Sequence, residues 1–351
     1  MQKPTPAEHR KALDALLPLE ESPLEVLDRS TIEGYAVCPF AAHAAEQKRV
    51  LVANTILNAG IEIHDCLSRV TMAWIESGGA MNPVDLRNEL ETELRSSRPD
   101  VQPEVLDGCL ASAWSWAQFV HHIHPANILG FDGGEALTPP RSGQLAIDFE
   151  GLGVRVTSEL DLIWSDPRIE IGHWLDYKTG HKIHTATEAA DAFQFQLHAD
   201  LLLHAFPTWQ AAKLIVWNTR RNQRAYEVTF DRSHQPEWRA RVRNVLGARH
   251  EAMIEVAAGR NAPCWPSLEK CSICDAALLC PEVTADVRDV AADPVAALGQ
   301  LVAIDARRDA LAKALAARVD ADGRDIVGDG FGFGRSKPVG KRKASVYEIE
   351  R

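Results

Sequence analysis

The pattern between residues 143 and 230 limits this chain to a sheet with helices on its faces. Residues 143–149 and 153–164 alternate apolar and polar side chains, the period of a half-buried strand, and Gly151–Gly153 joins them. Residues 172–178 (GHWLDYK) make a third strand, ended by Thr179-Gly180. A helix over 187–206, strands at 212–218 and 224–230, and a helix over 235–258 follow. The first 125 residues read as helices: 7–17, a short one capped by Ser30 and carrying Tyr35, 48–77 with a break or bend near Gly60, 83–96, and 103–123. Trp114, Trp116 and Phe119 on the last of these are assigned to the core by their spacing. The order of elements predicts an α/β fold, a mixed central sheet flanked by helices.

The 351 residues have room for two or three domains, or for one elaborated α/β domain. A net charge of −11 argues against coating nucleic acid through bulk positive charge, yet leaves room for a local basic groove. No apolar run approaches the roughly 20 residues that span a bilayer, and polar Met1–Lys11 has no secretory pattern. The expectation is a cytoplasmic protein with no membrane partner. Lys341 follows a glycine, but Arg342 stands where a phosphate-binding loop needs Ser or Thr, so no nucleotide motor is expected.

Asp176-Tyr177-Lys178 lies on a strand, so Asp176 and Lys178 share one face. Alone, this is an ordinary solvated ion pair. Asp161 ends the preceding strand, and neighbouring antiparallel strands bring the two carboxylates together. Such a pair repels unless a divalent cation sits between, and Mg²⁺ takes one or two protein carboxylates beside phosphate oxygens. Lys178 then stabilises charge on the phosphate or orients the attacking water. Glu159 is a further candidate ligand. Gln194 and His198 sit one turn apart on one helix face, and His64 follows Gly60 on the long helix; each alone reads as an ordinary polar position.

Seven cysteines, an odd number without an export signal, do not suggest a disulfide framework. Cys271-x2-Cys274-x5-Cys280-Pro281 is a metal clasp that suits zinc or iron–sulfur equally. The residues leave the fourth ligand open between Cys264, nearest in sequence, and distant Cys38, also followed by proline. The pairs His121-His122-Ile-His124 and His181/His184 read as surface or helix-end histidines. An Ala-rich helix over 294–319 precedes a tail with Gly328, Gly330, Gly332 and Gly334 and five basic residues. That tail reads equally as a solvated segment or as a contact for single-stranded DNA.

Taken in order, Gly60-x3-His64, Asp161, Asp176-x-Lys178-Thr179-Gly180 and Gln194 resemble the motif set of the PD-(D/E)XK nucleases. Within them the set resembles the RecB-like branch, which includes the AddB nuclease and CRISPR-associated exonucleases. The match runs from about residue 30 to 281. The resemblance implies a restriction-endonuclease-like core over 30–284, with a helical insertion at about 80–125, a helical extension 1–29 and a C-terminal helix and tail 285–351. It implies that His64, Asp161, Asp176 and the Tyr177 main-chain carbonyl bind Mg²⁺ or Mn²⁺, that Lys178 is the catalytic lysine, and that Gln194 is an active-site residue. It also implies a [4Fe–4S] cluster on Cys38, Cys271, Cys274 and Cys280, with zinc ranked lower, and leaves Cys66, Cys109 and Cys264 as buried apolar residues. The implied activity is a DNA exonuclease on single-stranded or free ends, in recombination and repair, phage or CRISPR-type processing, beside a helicase, recombinase or adaptation partner. The rival is a DNA-end-binding module without catalysis. The family usually has tyrosine where this chain has His198; the alternative register would match Gln196 and Asp200 instead.

Overall fold

The computed structural model describes residues 24–47, 55–96, 103–131, 141–142, 144–165, 170–179, 185–219, 223–266, 271, 274, 276–283, 294–322, 326–327, 331–335 and 344–348. The expected helix 7–17, His181 and His184 lie outside them. The chain falls into two compact units, residues 1–32 with 53–244, and residues 33–52 with 245–351.

The first unit holds two sheets. Strands β1 (Glu25–Asp28), β4 (Gln144–Phe149) and β5 (Val154–Glu159) form the smaller, in the order β1-β5-β4. The larger has six strands in the order β3-β2-β6-β7-β8-β9: β2 (Ile128–Phe131), β3 (Arg141–Ser142), β6 (Leu162–Ser165), β7 (Ile171–Lys178), β8 (Ala211–Asn218) and β9 (Gln223–Asp231). The β7–β8 pair is parallel, whereas β6–β7 and β8–β9 are antiparallel. The expected mixed sheet is therefore present. The expected single strand 153–164 is two strands in two sheets, parted at Leu160-Asp161. Strand β1 carries no alternation that marks it in the sequence.

Helices α1 (Arg29–Val37), α2 (Pro39–Glu46), α3 (Thr55–Glu76), α4 (Pro83–Ser96) and α5 (Pro103–His121) precede the strands. Asp28, not Ser30, caps α1: its carboxylate accepts the Thr31 N–H at 2.7 Å and the Ser30 hydroxyl at 2.6 Å. Helix α3 runs through Gly60 without a break. Asn82 caps α4 by accepting the Val84 N–H at 2.8 Å, with Pro83 at the first helical position. Leu86, Leu90 and Leu94 then form one buried stripe, the four-residue spacing of a helix face. They pack with Trp74, Trp116, Leu175, Tyr177 and Trp217 in a core between α3, α4, α5 and the larger sheet. Phe119 packs against this core, but Trp114 is 40% exposed, because the buried face of α5 runs through Ala113, Trp116, Ala117 and Val120. On the other side of β7, Trp174 meets Phe230 and Phe230 meets Trp238.

The expected helix 187–206 is α6 (Ala186–Asp191) and α7 (Phe193–Ala205), parted at Ala192, whose backbone is extended. Thr185 and Glu188 form a reciprocal cap at the start of α6. Helix α8 (Gln235–Ala257) runs from the first unit into the second.

The second unit contains α2, the rest of α8, α9 (Pro294–Asp322) and a three-stranded antiparallel sheet of β10 (Ile326–Val327), β11 (Phe331–Arg335) and β12 (Ala344–Glu348). The Gly-Phe-Gly-Phe-Gly run thus contributes most of a central strand, paired with β12 and, at Gly332 and Phe333, with β10. Ladder pairing satisfies its backbone, which glycines do not prevent. Among the described residues, no helix is long and apolar enough to cross a membrane.

Gly172, at the start of β7, has no room for a side chain, since a Cβ there would lie 1.8 Å from the Trp209 ring. Gly172→Ala is expected to lower unfolding free energy by about 3 kcal/mol, and an unchanged urea midpoint would refute that packing. Across β4–β5, Arg155 holds Asp148 in a two-pronged pair at 2.5 and 2.7 Å, and this hydrogen bonding lowers the Asp148 carboxyl below its ordinary range. A depressed folded-state value gives stability that is present above the unfolded value, about 3.9, and is lost as pH falls through the folded one. Asp148→Asn should therefore lower stability at neutral pH and flatten its fall between about pH 4 and the acid limb. Parallel pH–stability curves for the two proteins would contradict this.

Candidate functional site

The antiparallel register of β6 and β7 sets Leu162 opposite Leu175, and one step further puts Asp161 beside Asp176. Alternation along β7 then sorts the side chains. Leu175 and Tyr177 enter the helical core, where the Tyr177 hydroxyl accepts the Trp116 indole N–H at 2.8 Å. Asp176 and Lys178 point toward α7. Lys178 Nζ lies 2.7 Å from Asp176 Oδ2 and donates to Gln194 Oε1 at 3.1 Å, while Gln194 Nε2 donates to Asp176 Oδ1 at 2.9 Å. The three side chains form a closed triangle. Phe195 lies under the ammonium, 5.3 Å from ring centre to Nζ.

Asp161 completes the group from the other strand. One oxygen accepts the Tyr177 backbone N–H, and the other lies 3.2 Å from His64 Nδ1. His64 reaches it from α3 and meets the Tyr177 ring edge-on at 5.8 Å. Gly60 lets α3 approach, because a Cβ there would stand 3.1 Å from Thr179 Oγ1. His64, Asp161, Asp176, Lys178 and Gln194 are thus brought together, with the Tyr177 backbone between the two carboxylates.

The electrostatics follow from burial. Burial pulls His64 down, but the charge and hydrogen bond of Asp161 and the charge of Asp176 outweigh it and raise the imidazole to about 9. Burial pushes Asp161 up, yet His64, the Tyr177 N–H and Lys178 hold it below its ordinary value. Asp176 goes the other way: burial and the Asp161 charge exceed the attraction of Lys178 and raise it. The buried Asp176 Oδ2 has the Lys178 ammonium as its charged neighbour, 2.7 Å away. Two carboxylates and an imidazole are groups that could hold a divalent cation, but among the described residues they do not already converge as a metal-binding group.

The neighbouring candidates fall elsewhere. Glu159 is the exposed last residue of β5, opposite Gln144 in the smaller sheet rather than on the strand of Asp161. Gln196 bonds the Ala190 carbonyl and Arg241, and buried Asp200 is bonded to Gln235 and Arg239. These partners make the alternative register structural. His198 is buried, with Nε2 2.9 Å from the Ser158 hydroxyl, and burial holds it well below its ordinary pKa. It joins α7 to β5, where the family's tyrosine was expected. His121, His122 and His124 are exposed, as the sequence suggested.

Sequence reasoning missed Thr219. Its backbone N–H donates to the Lys178 carbonyl at 2.9 Å, and its own carbonyl accepts the Ser112 hydroxyl at 2.6 Å. This ties the end of β7 to α5. No residue type near position 219 signals the clamp.

In the second unit, Cys38, Cys264, Cys271, Cys274 and Cys280 line a cavity of about 530 Å³, walled largely by alanines. Cys38 precedes α2, with Pro39 at the first helical position, and its sulfur accepts the Trp265 N–H at 3.5 Å. A hydrogen bond from Cys264, with backbone N–H groups, lowers Cys38 to about 6 against burial. Cys264 likewise lowers Cys280 to about 7, whereas burial raises Cys274 to about 11. Cys66 and Cys109 are buried as expected, but Cys264 is not: it is partly exposed and sits among the clasp thiols. Its neighbours in the chain gave no hint, because the Pro263–Pro266 segment has no periodicity. Among the described residues, no three His, Cys, Asp or Glu side chains already converge as a metal-binding group. The cysteines share a cavity rather than a point.

A family model described as the PD-(D/E)XK nuclease superfamily matches residues 29–281. A search of curated proteins finds none that matches the chain.

Tyr177→Phe would leave the buried Trp116 N–H without an acceptor. The expected loss of stability is about 1–3 kcal/mol. An unfolding midpoint equal to wild type would show that this bond does not fix the strand.

Proposed function

The chain belongs to the PD-(D/E)XK nuclease superfamily, and from that premise we propose that it is a divalent-metal-dependent DNA nuclease of the RecB-like kind, an exonuclease acting on single-stranded or free ends. The observation that carries this reading is the closed Asp176–Lys178–Gln194 triangle with Asp161 and His64 beside it. A module that only binds DNA needs no lysine paired with a buried carboxylate beside a second one.

The protein's own groups divide the work. Asp161, aimed by the Tyr177 N–H and His64, and Asp176, beside the Lys178 ammonium, would hold Mg²⁺ or Mn²⁺ together with His64 and the Tyr177 carbonyl. When bound, that cation supplies a hydroxide-like nucleophile and neutralises the phosphate. Lys178 is about one-quarter exposed at its side chain, so its ammonium reaches substrate while Asp176 anchors it. It donates to the phosphate oxygen that gains charge as water attacks phosphorus. Gln194 fixes both Lys178 and Asp176, which keeps the lysine from swinging onto the carboxylate alone.

The cysteine cavity is read as the seat of a [4Fe–4S] cluster on Cys38, Cys271, Cys274 and Cys280. Four thiols around alanine-walled space and an N–H on the Cys38 sulfur suit that group. Holding Cys38 to residues 271–280 closes a loop of more than 200 residues, so its role is structural. Zinc is the lower-ranked occupant, and iron and sulfide analysis of anaerobically purified protein separates the two.

End-labelled single- and double-stranded DNA with Mg²⁺ or Mn²⁺ tests the activity. Wild type should shorten labelled ends, and Asp176→Ala and Lys178→Ala should each lower the rate by about 10²-fold or more. Equal cleavage by all three proteins would overturn the site, and no cleavage of any substrate by wild type would favour the binding module.

A further inference from the structure

Five cysteines line the cavity, one more than a four-thiolate cluster uses. The fifth, Cys264, has its sulfur 4.0 Å from that of Cys280, and both side chains are partly exposed. It also hydrogen-bonds Cys38, but Cys38 is fixed at the start of α2 by the Trp265 N–H, with Phe40 N–H bonded to the Pro263 carbonyl at 2.9 Å. Cys280 ends a short turn, with its N–H on the Ala277 carbonyl at 3.4 Å and its sulfur accepting the Glu282 N–H, and it is the clasp sulfur that lies 4.0 Å from Cys264. The segment from 264 to 280 is short, and loops of that size close readily. A disulfide needs a sulfur separation near 2.05 Å, so an approach of about 2 Å within this turn suffices.

We propose that Cys264 and Cys280 are a redox pair of the metal-free protein. Hydrogen peroxide joins them as a disulfide, which withdraws Cys280 from the clasp and blocks loading of the cavity until the bond is reduced. The loading part rests on the reading of the cavity as a thiolate metal site. In the step, one thiolate attacks a peroxide oxygen, the O–O bond breaks, and a sulfenic acid and one water result. The Cys264 thiol, which its bonds to Cys280 and Cys38 and its burial keep protonated, then attacks that sulfur; the S–O bond breaks and the thiol proton passes to the departing hydroxyl, which leaves as a second water. The two sulfurs lose two electrons, peroxide gains them, and the two thiol protons end in the waters. With the clasp occupied, Cys280 is coordinated and the pair cannot form.

The test uses the full chain, freed of metal by chelation and reduced. After brief peroxide treatment and alkylation, two thiols should disappear. Trypsin cleaves after Lys270 and separates the two cysteines, so fragmentation of the unreduced digest should show one linked peptide, Cys264 to Cys280. Anaerobic addition of ferrous iron and sulfide should then give at least tenfold less bound iron than in untreated protein, restored by dithiothreitol. Cys264→Ser, or Cys264→Ala if the serine variant does not fold, should give no linked peptide and iron uptake unaffected by the same treatment. A link through Cys38 or any other cysteine, no link, or equal loss of iron uptake in the variant overturns the proposal. Failure of untreated wild type to take up iron overturns the cluster reading and the loading control with it, and the peptide map alone then decides the pair.

Discussion

Two carboxylates forced together in a buried place are the constraint on which the candidate site depends. The β6–β7 register brings Asp161 to Asp176, and the burial of Asp176 and near-burial of Asp161 limit the water that would screen their repulsion. Every other polar group at the site answers that problem. His64 carries a proton against its own burial, Lys178 leans on Asp176, and the Tyr177 N–H is turned onto Asp161. A divalent cation concentrates two positive charges where these groups supply scattered ones.

The fold holds this arrangement from behind. Tyr177 is sandwiched in sequence between the two reactive residues of β7, yet its ring is bonded to Trp116 on α5. The Lys178 carbonyl is tied through Thr219 to Ser112, also on α5. Strand and helix are therefore joined at successive residues, and the lysine can tilt only if α5 moves too. Gly60 brings α3 close to Thr179 and sets His64 at Asp161. The helices before the strands thus have a positional role beyond filling the core.

Much of this was legible because period-two alternation fixes which face a residue takes. It separated Asp176 and Lys178 from Leu175 and Tyr177, and it located β7, β8 and β9 closely. The same signal misled at 153–164. Alternation continues across Leu160-Asp161, so nothing in the pattern announces a change of sheet. The break at Ala192 is equally silent, since alanine is a good helix former and neither glycine nor proline is near. Trp114 and Ser30 were misplaced for a related reason: spacing gives a face only to within a neighbour or two, and Asp28 competes directly for the capping role. The tail strands were hidden by glycines, which weaken a strand without forbidding it.

The cysteines show the limit more sharply. Spacing identifies a clasp when the ligands are local, as in Cys271, Cys274 and Cys280. It cannot rank Cys38 against Cys264, because one depends on a contact across more than 200 residues. The structure puts both at the same cavity, so the question changes from which cysteine belongs there to what an extra thiol does beside a clasp. A packed, inert cysteine is usually buried, as Cys66 and Cys109 are. Cys264 is partly exposed and touches two clasp thiols, and oxidative chemistry requires both access and a neighbouring sulfur.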